Sequence, residues 1–319
     1  MVYINGKGSV MISVRSGLVT FVIAYSVLIV FECSATTKCI GVVGAGVSSY
    51  WDDVYNGANQ AAEELNIKVY TRGTFDETDK HGQRAIINYF IKNNGCSALV
   101  LAPNSKDRRT DVSKLKSMGI PTVYIDRNMG GDAVSIIASD NAKAGSQAGK
   151  EMVKALLGKG KVAILRFDKN VKTTSLREDN FRAEVIKAGL EVTLEEHLST
   201  TIGLGRSKAY EILKNVDHLD GIFTPNAITT IAVIKALERL NKSDILHIGF
   251  DADEIIIKSL KAGHVHGIFL QQPFQMGYQG VHMAFLAMQS KKVKENIITP
   301  TIFVNSENVE NIKIDTRSN

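Results

Sequence analysis

The sequence predicts an α/β protein of two domains, each a doubly wound parallel sheet, and three observations carry that expectation. From Cys39 onward, short β-branched runs alternate with amphipathic helical stretches, the pattern of parallel βαβ units. The alternation then repeats over a second stretch of comparable length. The chain has 319 residues, enough for two domains at ~100–200 residues each.

In the first half, Ile40 to Val43 reads as a strand. Tyr50 to Leu65 follows as a helix, with Val54, Ala58, Ala61, Ala62 and Leu65 on one face. Lys68 to Thr71 is a strand, Gln83 to Ile91 a helix, Ala98 to Ala102 an apolar strand and Val112 to Met118 a helix. Pro121 to Ile125 is a short buried strand, and a further apolar run leads to Ser139.

The second half repeats the scheme. Helices are expected over Ala142–Leu157, Leu176–Ala188, Arg206–Leu213, Thr229–Leu240 and Glu254–Lys261. Strands are expected over Val162–Leu165, Leu190–Leu194, Gly221–Thr224 and Ile245–Phe250. The remainder is Val265 to Gln272, a helix from Phe274 to Met288 and an extended tail from Thr299 to Val304. It is too short for a third domain and must return to the first two. The chain is therefore expected to cross between domains near Asp140, Gln272 and Thr299. This gives a first domain of residues 36–139 with 272–299, and a second of 140–271 with 300–319. No linker rich in Pro, Gly or Ser separates them, so strand-like crossings should restrict their relative motion to a hinge.

Composition is that of a globular chain, 44% hydrophobic and 22% charged. The net charge of +5 is scattered, and no basic run is interleaved with aromatics, so nucleic acid is not an expected partner. The N-terminus differs. Gly17 to Phe31 carries no charge, is preceded by Lys7 and Arg15, and is followed by Cys33-Ser34-Ala35. That is the layout of a secretory signal, with cleavage expected near Ala35 and with Met11 an alternative start to Met1. It is short of the ~20 apolar residues that span a bilayer. Cys33 raises lipoprotein anchoring as a variant, although Val30-Phe31-Glu32 lacks the small residues such processing prefers. Cys39 and Cys96 are then the only thiols left. Each precedes an apolar strand, and they read either as a disulfide between neighbouring strands or as two buried cysteines.

In open α/β sheets, ligands meet the carboxyl ends of the strands. Ser48, Ser49, Tyr50 and Trp51 follow the first strand, and Asp126 and Arg127 the fourth. Ser139, Asp140 and Asn141 follow the next apolar run. In the second half, Asn226, Asp251 and Gln271 stand at strand ends. An Asp accepts hydrogen bonds and an Arg donates them, so the pair can serve both halves of a hydroxyl group's chemistry. Aromatic rings offer flat faces to the CH surface of a sugar. The set contains no histidine, no cysteine and no serine paired with a base, so no catalytic group or metal site is expected. Gly44-Ala45-Gly46 and Gly203-Leu204-Gly205 lack the remainder of a nucleotide-binding loop and read as turns, so no cofactor is expected. His264 and His266 have no third metal ligand.

Four motifs occur in order: IPTVYIDRN followed by IIASDNAKAGSQAG, then GFDADEI, then QQPFQMGYQG, with Tyr50-Trp51 ahead of Gly57-Ala58. Together they resemble the type I periplasmic sugar-binding proteins, ribose-binding-protein-like members of a superfamily that includes LacI-like regulators. The resemblance covers nearly the whole chain after the signal. It implies that Tyr50 and Trp51 stack on a sugar ring, and that Asp126 and Arg127 hold hydroxyls with Ser139 close by. It implies that Asn226, Asp251 and Gln271 close from the second domain, joined by Arg177. Ser48, Ala227 and the aromatic-free loop Thr200–Ile202 depart from the family pattern, with Phe167 or Phe250 as candidates for the missing ring, and leave the sugar's identity open. The function so implied is an exported, non-enzymatic receptor for a monosaccharide or polyol, feeding the membrane permease of an ABC transporter. A histidine-kinase or chemotaxis sensor is the alternative membrane partner. The ligand-sensing core of a transcriptional repressor shares the architecture, but needs a DNA-binding segment where this chain has its apolar one.

Overall fold

In the computed structural model, which describes residues 38–311, the chain forms two six-stranded sheets. The expected signal segment, with Cys33 and Ala35, lies outside the described residues. In chain order the first half comprises β1 (Cys39–Val43), α1 (Ser49–Leu65), β2 (Lys68–Arg72), α2 (Lys80–Lys92), β3 (Ala98–Leu101), α3 (Arg108–Ser117), β4 (Thr122–Ile125) and β5 (Ser135–Ser139). The second comprises α4 (Asn141–Ala155), β6 (Lys161–Arg166), α5 (Lys172–Lys187), β7 (Glu191–His197), α6 (Ile202–Lys214), β8 (Gly221–Phe223), α7 (Ala227–Leu240), β9 (Leu246–Phe250), α8 (Glu254–Lys261) and β10 (Gly267–Leu270). The chain then adds α9 (Pro273–Met288), β11 (Asn296–Thr299) and β12 (Ile302–Asn305).

The strand orders are β11-β5-β4-β3-β1-β2 and β12-β10-β9-β8-β6-β7. Strands β1, β3, β4 and β10 are buried along their whole length, as expected where helices cover both faces of a parallel sheet. The chain passes between sheets three times. From β5 it enters α4, which packs on α5. From β10 it enters α9, which packs on α1, and from β11 it runs directly into β12. The first and third passages touch, with Ser139 paired to Thr299 and their hydroxyls 3.4 Å apart.

Two expectations need correction. The extended tail is two strands on different sheets, β11 parallel to β5 and β12 antiparallel to β10, so the second sheet is not wholly parallel. Strand β11 is a largely exposed edge strand, with little apolar patterning to mark it. Several helices also start a turn before their apolar periodicity does. Helix α2 begins at Lys80, where Asp79 accepts from the His81 and Gly82 amides. Helix α5 begins at Lys172. Polar first turns do not register in a hydrophobic pattern; caps do.

Glycines set how closely the crossing helices approach their partners. A Cβ on Gly277 of α9 would lie 1.9 Å from the Val54 carbonyl oxygen of α1, and one on Gly145 of α4 would lie 2.2 Å from the Arg177 carbonyl oxygen of α5. Substitution at Gly145 must therefore move the backbone that carries Arg177. Neighbouring strands β1 and β3 bring Cys39 and Cys96 together, with Cα atoms 4.5 Å apart, and the two are joined as a disulfide. Closing a loop across 57 residues constrains the unfolded chain by ~4 kcal/mol in the chain-entropy estimate.

Candidate ligand-binding site

The carboxyl ends of the two sheets face each other across a cleft. It is lined from the first half by Ser48, Tyr50, Trp51, Glu77, Asp126 and Arg127, and from the second by Thr173, Thr174, Arg177, Asn226, Asp251 and Gln271, among others. The halves touch at its rim, where Ser49 Oγ donates to the Ala252 carbonyl at 3.4 Å. The space between the halves is about 40 Å³, room for about three water molecules at ~10–15 Å³ each.

Two aspartates occupy equivalent places. Asp126 follows β4 and Asp251 follows β9, each the third strand from one edge of its sheet. The Asp126 amide donates to the Ile137 carbonyl of β5, and the Asp251 amide to the Phe269 carbonyl of β10, both at 2.9 Å. Both residues have left-handed backbones, φ 60° and 66°. Asp tolerates that region better than most residues, and each instance costs roughly 1–3 kcal/mol. The turn aims each carboxylate into the cleft instead of along the sheet.

In the first half, Arg127 is held between two carboxylates. Its Nη2 donates to Glu77 and its Nε to Asp126 Oδ2 at 3.1 Å. Burial opposes the Arg127 charge, but Glu77 and Asp126 outweigh it and raise the pKa above the usual arginine value. Trp51 Nε1 donates to the other Glu77 oxygen at 3.3 Å, and Tyr50 OH to Asp126 Oδ1 at 2.8 Å. Burial, and then the negative charge of Asp126, push the Tyr50 phenol well above its ordinary pKa, so it stays a donor. The Tyr50 and Trp51 rings meet edge to face at 5.0 Å.

In the second half, Asp251 accepts from the Ala227 amide at 3.1 Å and from Gln271 Nε2 at 2.8 Å. Burial raises the Asp251 pKa, against the lowering effect of Arg177 and these two donors. Arg177 Nε donates to Asn141 Oδ1 at 2.7 Å, its Nη1 to the Pro225 carbonyl at 2.8 Å, and its guanidinium lies 4.5 Å above the Phe250 ring. Asn226 caps α7, its side-chain oxygen accepting from the Thr229 amide.

The structure thus brings Tyr50, Trp51, Asp126, Arg127, Arg177, Asn226, Asp251 and Gln271 to one cleft. It does not bring Ser139 or Phe250 there. The Ser139 hydroxyl meets Thr299 where the chain passes between sheets. Phe250 is fully buried among Phe223 and Phe269, beneath Arg177. Phe167 is also buried and does not line the cleft. Glu77, Thr173 and Thr174 do line it and are absent from the sequence-based set. They follow β2 and β6, whose carboxyl ends open on the same cleft, so the strand-end rule applied to every strand finds them. Among the described residues, no three His, Cys, Asp or Glu gather as a metal-ligand set.

A family model for the periplasmic binding protein domain matches residues 40–292. The ribose import binding protein of Bacillus subtilis is 26% identical over 265 residues, which cover 81% of this chain and 85% of that protein. The periplasmic component of an ABC-type sugar transport system from Hahella chejuensis superposes with a TM-score of 0.80. It is 30% identical, over 84% of this chain and 99% of the other. A carbohydrate transporter solute-binding protein from Agrobacterium radiobacter, solved in complex with D-arabinose, superposes with a TM-score of 0.79. It is 27% identical, over 86% of this chain and 96% of the other.

Proposed function

The chain belongs to the periplasmic binding protein family, and we propose that it is an exported receptor that captures a monosaccharide or related polyol and delivers it to an ABC-type sugar transporter. The observation that carries this reading is the cleft itself. Aromatic rings, three carboxylates, two guanidiniums and two amides converge there from both halves. Such a set matches hydroxyl groups, each of which offers one donor and two acceptor sites.

The three passages between the sheets act as the hinge. The halves part to admit the ring and close over it, a hinge motion in which the first half turns against the second. Asp126 and Asp251 accept from ligand hydroxyls, Arg127 and Arg177 donate to ligand oxygens, and Tyr50 and Trp51 cover the apolar face of the ring. Micromolar affinity requires only ~8 kcal/mol, within reach of several charge-assisted hydrogen bonds. Binding occurs without turnover, as the names of the matched relatives imply for those proteins. The apolar segment directs export and is then removed near Ala35, and the closed form presents both halves to the permease.

The test is the melting temperature of the purified protein against pentoses, hexoses, deoxysugars and cyclic polyols. A ligand at about 100 times its Kd adds ~2.7 kcal/mol of stability, a rise of several degrees. If every sugar and polyol leaves the melting temperature unchanged, the reading is wrong.

A further inference from the structure

The cleft carries more negative groups than positive ones. Its charged residues are Glu77, Asp126 and Asp251 against Arg127 and Arg177, three carboxylates to two guanidiniums. All three carboxylates accept within the protein, and several of the cleft's donors are engaged on them or on neighbouring groups. Arg127 is spanned by Glu77 and Asp126, Trp51 Nε1 is on Glu77, and Tyr50 OH is on Asp126. Arg177 directs two of its nitrogens to Asn141 and Pro225. The Asp251 carboxylate takes the amide nitrogen of Gln271.

That last contact fixes which end of the Gln271 amide is oxygen, since the reverse orientation would set a carbonyl against a carboxylate. Gln271 is 8% exposed, and its Oε1 is buried with no hydrogen-bond partner. An unsatisfied acceptor therefore stands beside a buried carboxylate, in a cleft whose formal charge is negative. An ammonium group offers three donors and no acceptor, and it replaces the missing positive charge. A neutral hydroxyl offers one donor and no charge. A carboxylate or phosphate on the ligand offers neither, and meets three carboxylates in a low-dielectric site.

We propose that the preferred ligand is a polyol bearing a protonated amine, an amino sugar or aminocyclitol, with the amine seated between Gln271 Oε1 and the Asp251 carboxylate. Glu77 sets this preference through charge, and Asp251 and Gln271 set it by contact. The inference rests on the reading of the cleft as a sugar site and narrows its substrate class.

Calorimetry of the purified protein tests it with matched sets that differ in one group. The sets are glucose, galactose and mannose with the amine placed at each ring position in turn, their uronic acids and N-acetylated forms, and myo-inositol beside its amino analogue. In the set that binds most tightly, the amine should bind about 10-fold more tightly than the hydroxyl, the difference between a charge-assisted and a neutral hydrogen bond. The N-acetylated form should lose this advantage, and the acid should bind more weakly than either. Glu77→Gln, checked for an unchanged circular dichroism spectrum, should shrink the amine's advantage several-fold. If the neutral member or the acid binds most tightly, the inference is overturned while the sugar-receptor reading stands. If no member of any set binds, both fall.

Discussion

Replacing Arg127 with alanine should destabilise the protein by about 3–5 kcal/mol, the cost of leaving buried charge without its partner, and abolish sugar binding. Arg127 is only 7% exposed at its side chain, and Asp126 and Glu77 beside it are 7% and 14% exposed. Its removal leaves two carboxylates facing each other in the cleft wall with no cation between them. The usual small worth of a surface ion pair does not apply here, because solvent does not screen the site. Urea unfolding measures the loss. Arg127→Ala combined with Glu77→Gln should recover part of the stability, because one of the two stranded charges is gone, without restoring binding. A loss below about 1 kcal/mol, the range of exposed pairs, would show that the Arg127 cluster is solvated.

Acid should destabilise the protein through His247, independently of the cleft. His247 lies on β9 with no exposed surface, its Nε2 2.8 Å from Thr224 Oγ1 and its Nδ1 unpartnered. Burial pushes its pKa from 6.5 down to about 3. The unfolded chain therefore binds a proton that the folded one refuses. The His247 contribution is intact above pH ~6.5 and is lost as pH falls toward 3, at ~1.4 kcal/mol per unit and ~4–5 kcal/mol in all. Asp251 and Glu178, whose carboxyls burial raises, act in the opposite sense, so the comparison must be with a variant. His247→Gln should show a flatter stability profile than the wild type between pH 6.5 and 4. Parallel profiles would mean that folding leaves the proton affinity of His247 unchanged.

The parts of the molecule that were legible in the sequence are those written in a repeating physical pattern. Apolar β-branched runs announce strands buried on both faces, and the ends of those strands locate Asp126, Asp251 and Gln271 with no knowledge of side-chain geometry. Features that depend on the third dimension were less legible. Strand β11 is an exposed edge piece whose pairing with β5 gives no alternation to read. The left-handed turns at Asp126 and Asp251 have no marker in residue type, since Asp is common at strand ends for many reasons. Phe250 shows that a residue at a strand end need not face the cleft. It was a candidate for the ring missing from Thr200–Ile202, but it is fully buried against Phe223 and Phe269 beneath Arg177. Glu77 sits in a polar loop with no local motif. Its position after β2 places it at a strand end, and its contacts with Arg127 and Trp51 show what it does there.

The most direct test of the central claim uses Trp51. It is the only tryptophan in the chain, it lines the cleft, and its ring nitrogen is bonded to Glu77. Its emission therefore reports on this site alone. Titration with the sugar that raises the melting temperature should change Trp51 fluorescence saturably, and Asp126→Asn should shift the curve to higher concentration. A sugar that stabilises the protein but leaves Trp51 emission unaltered would place binding elsewhere and contradict the account.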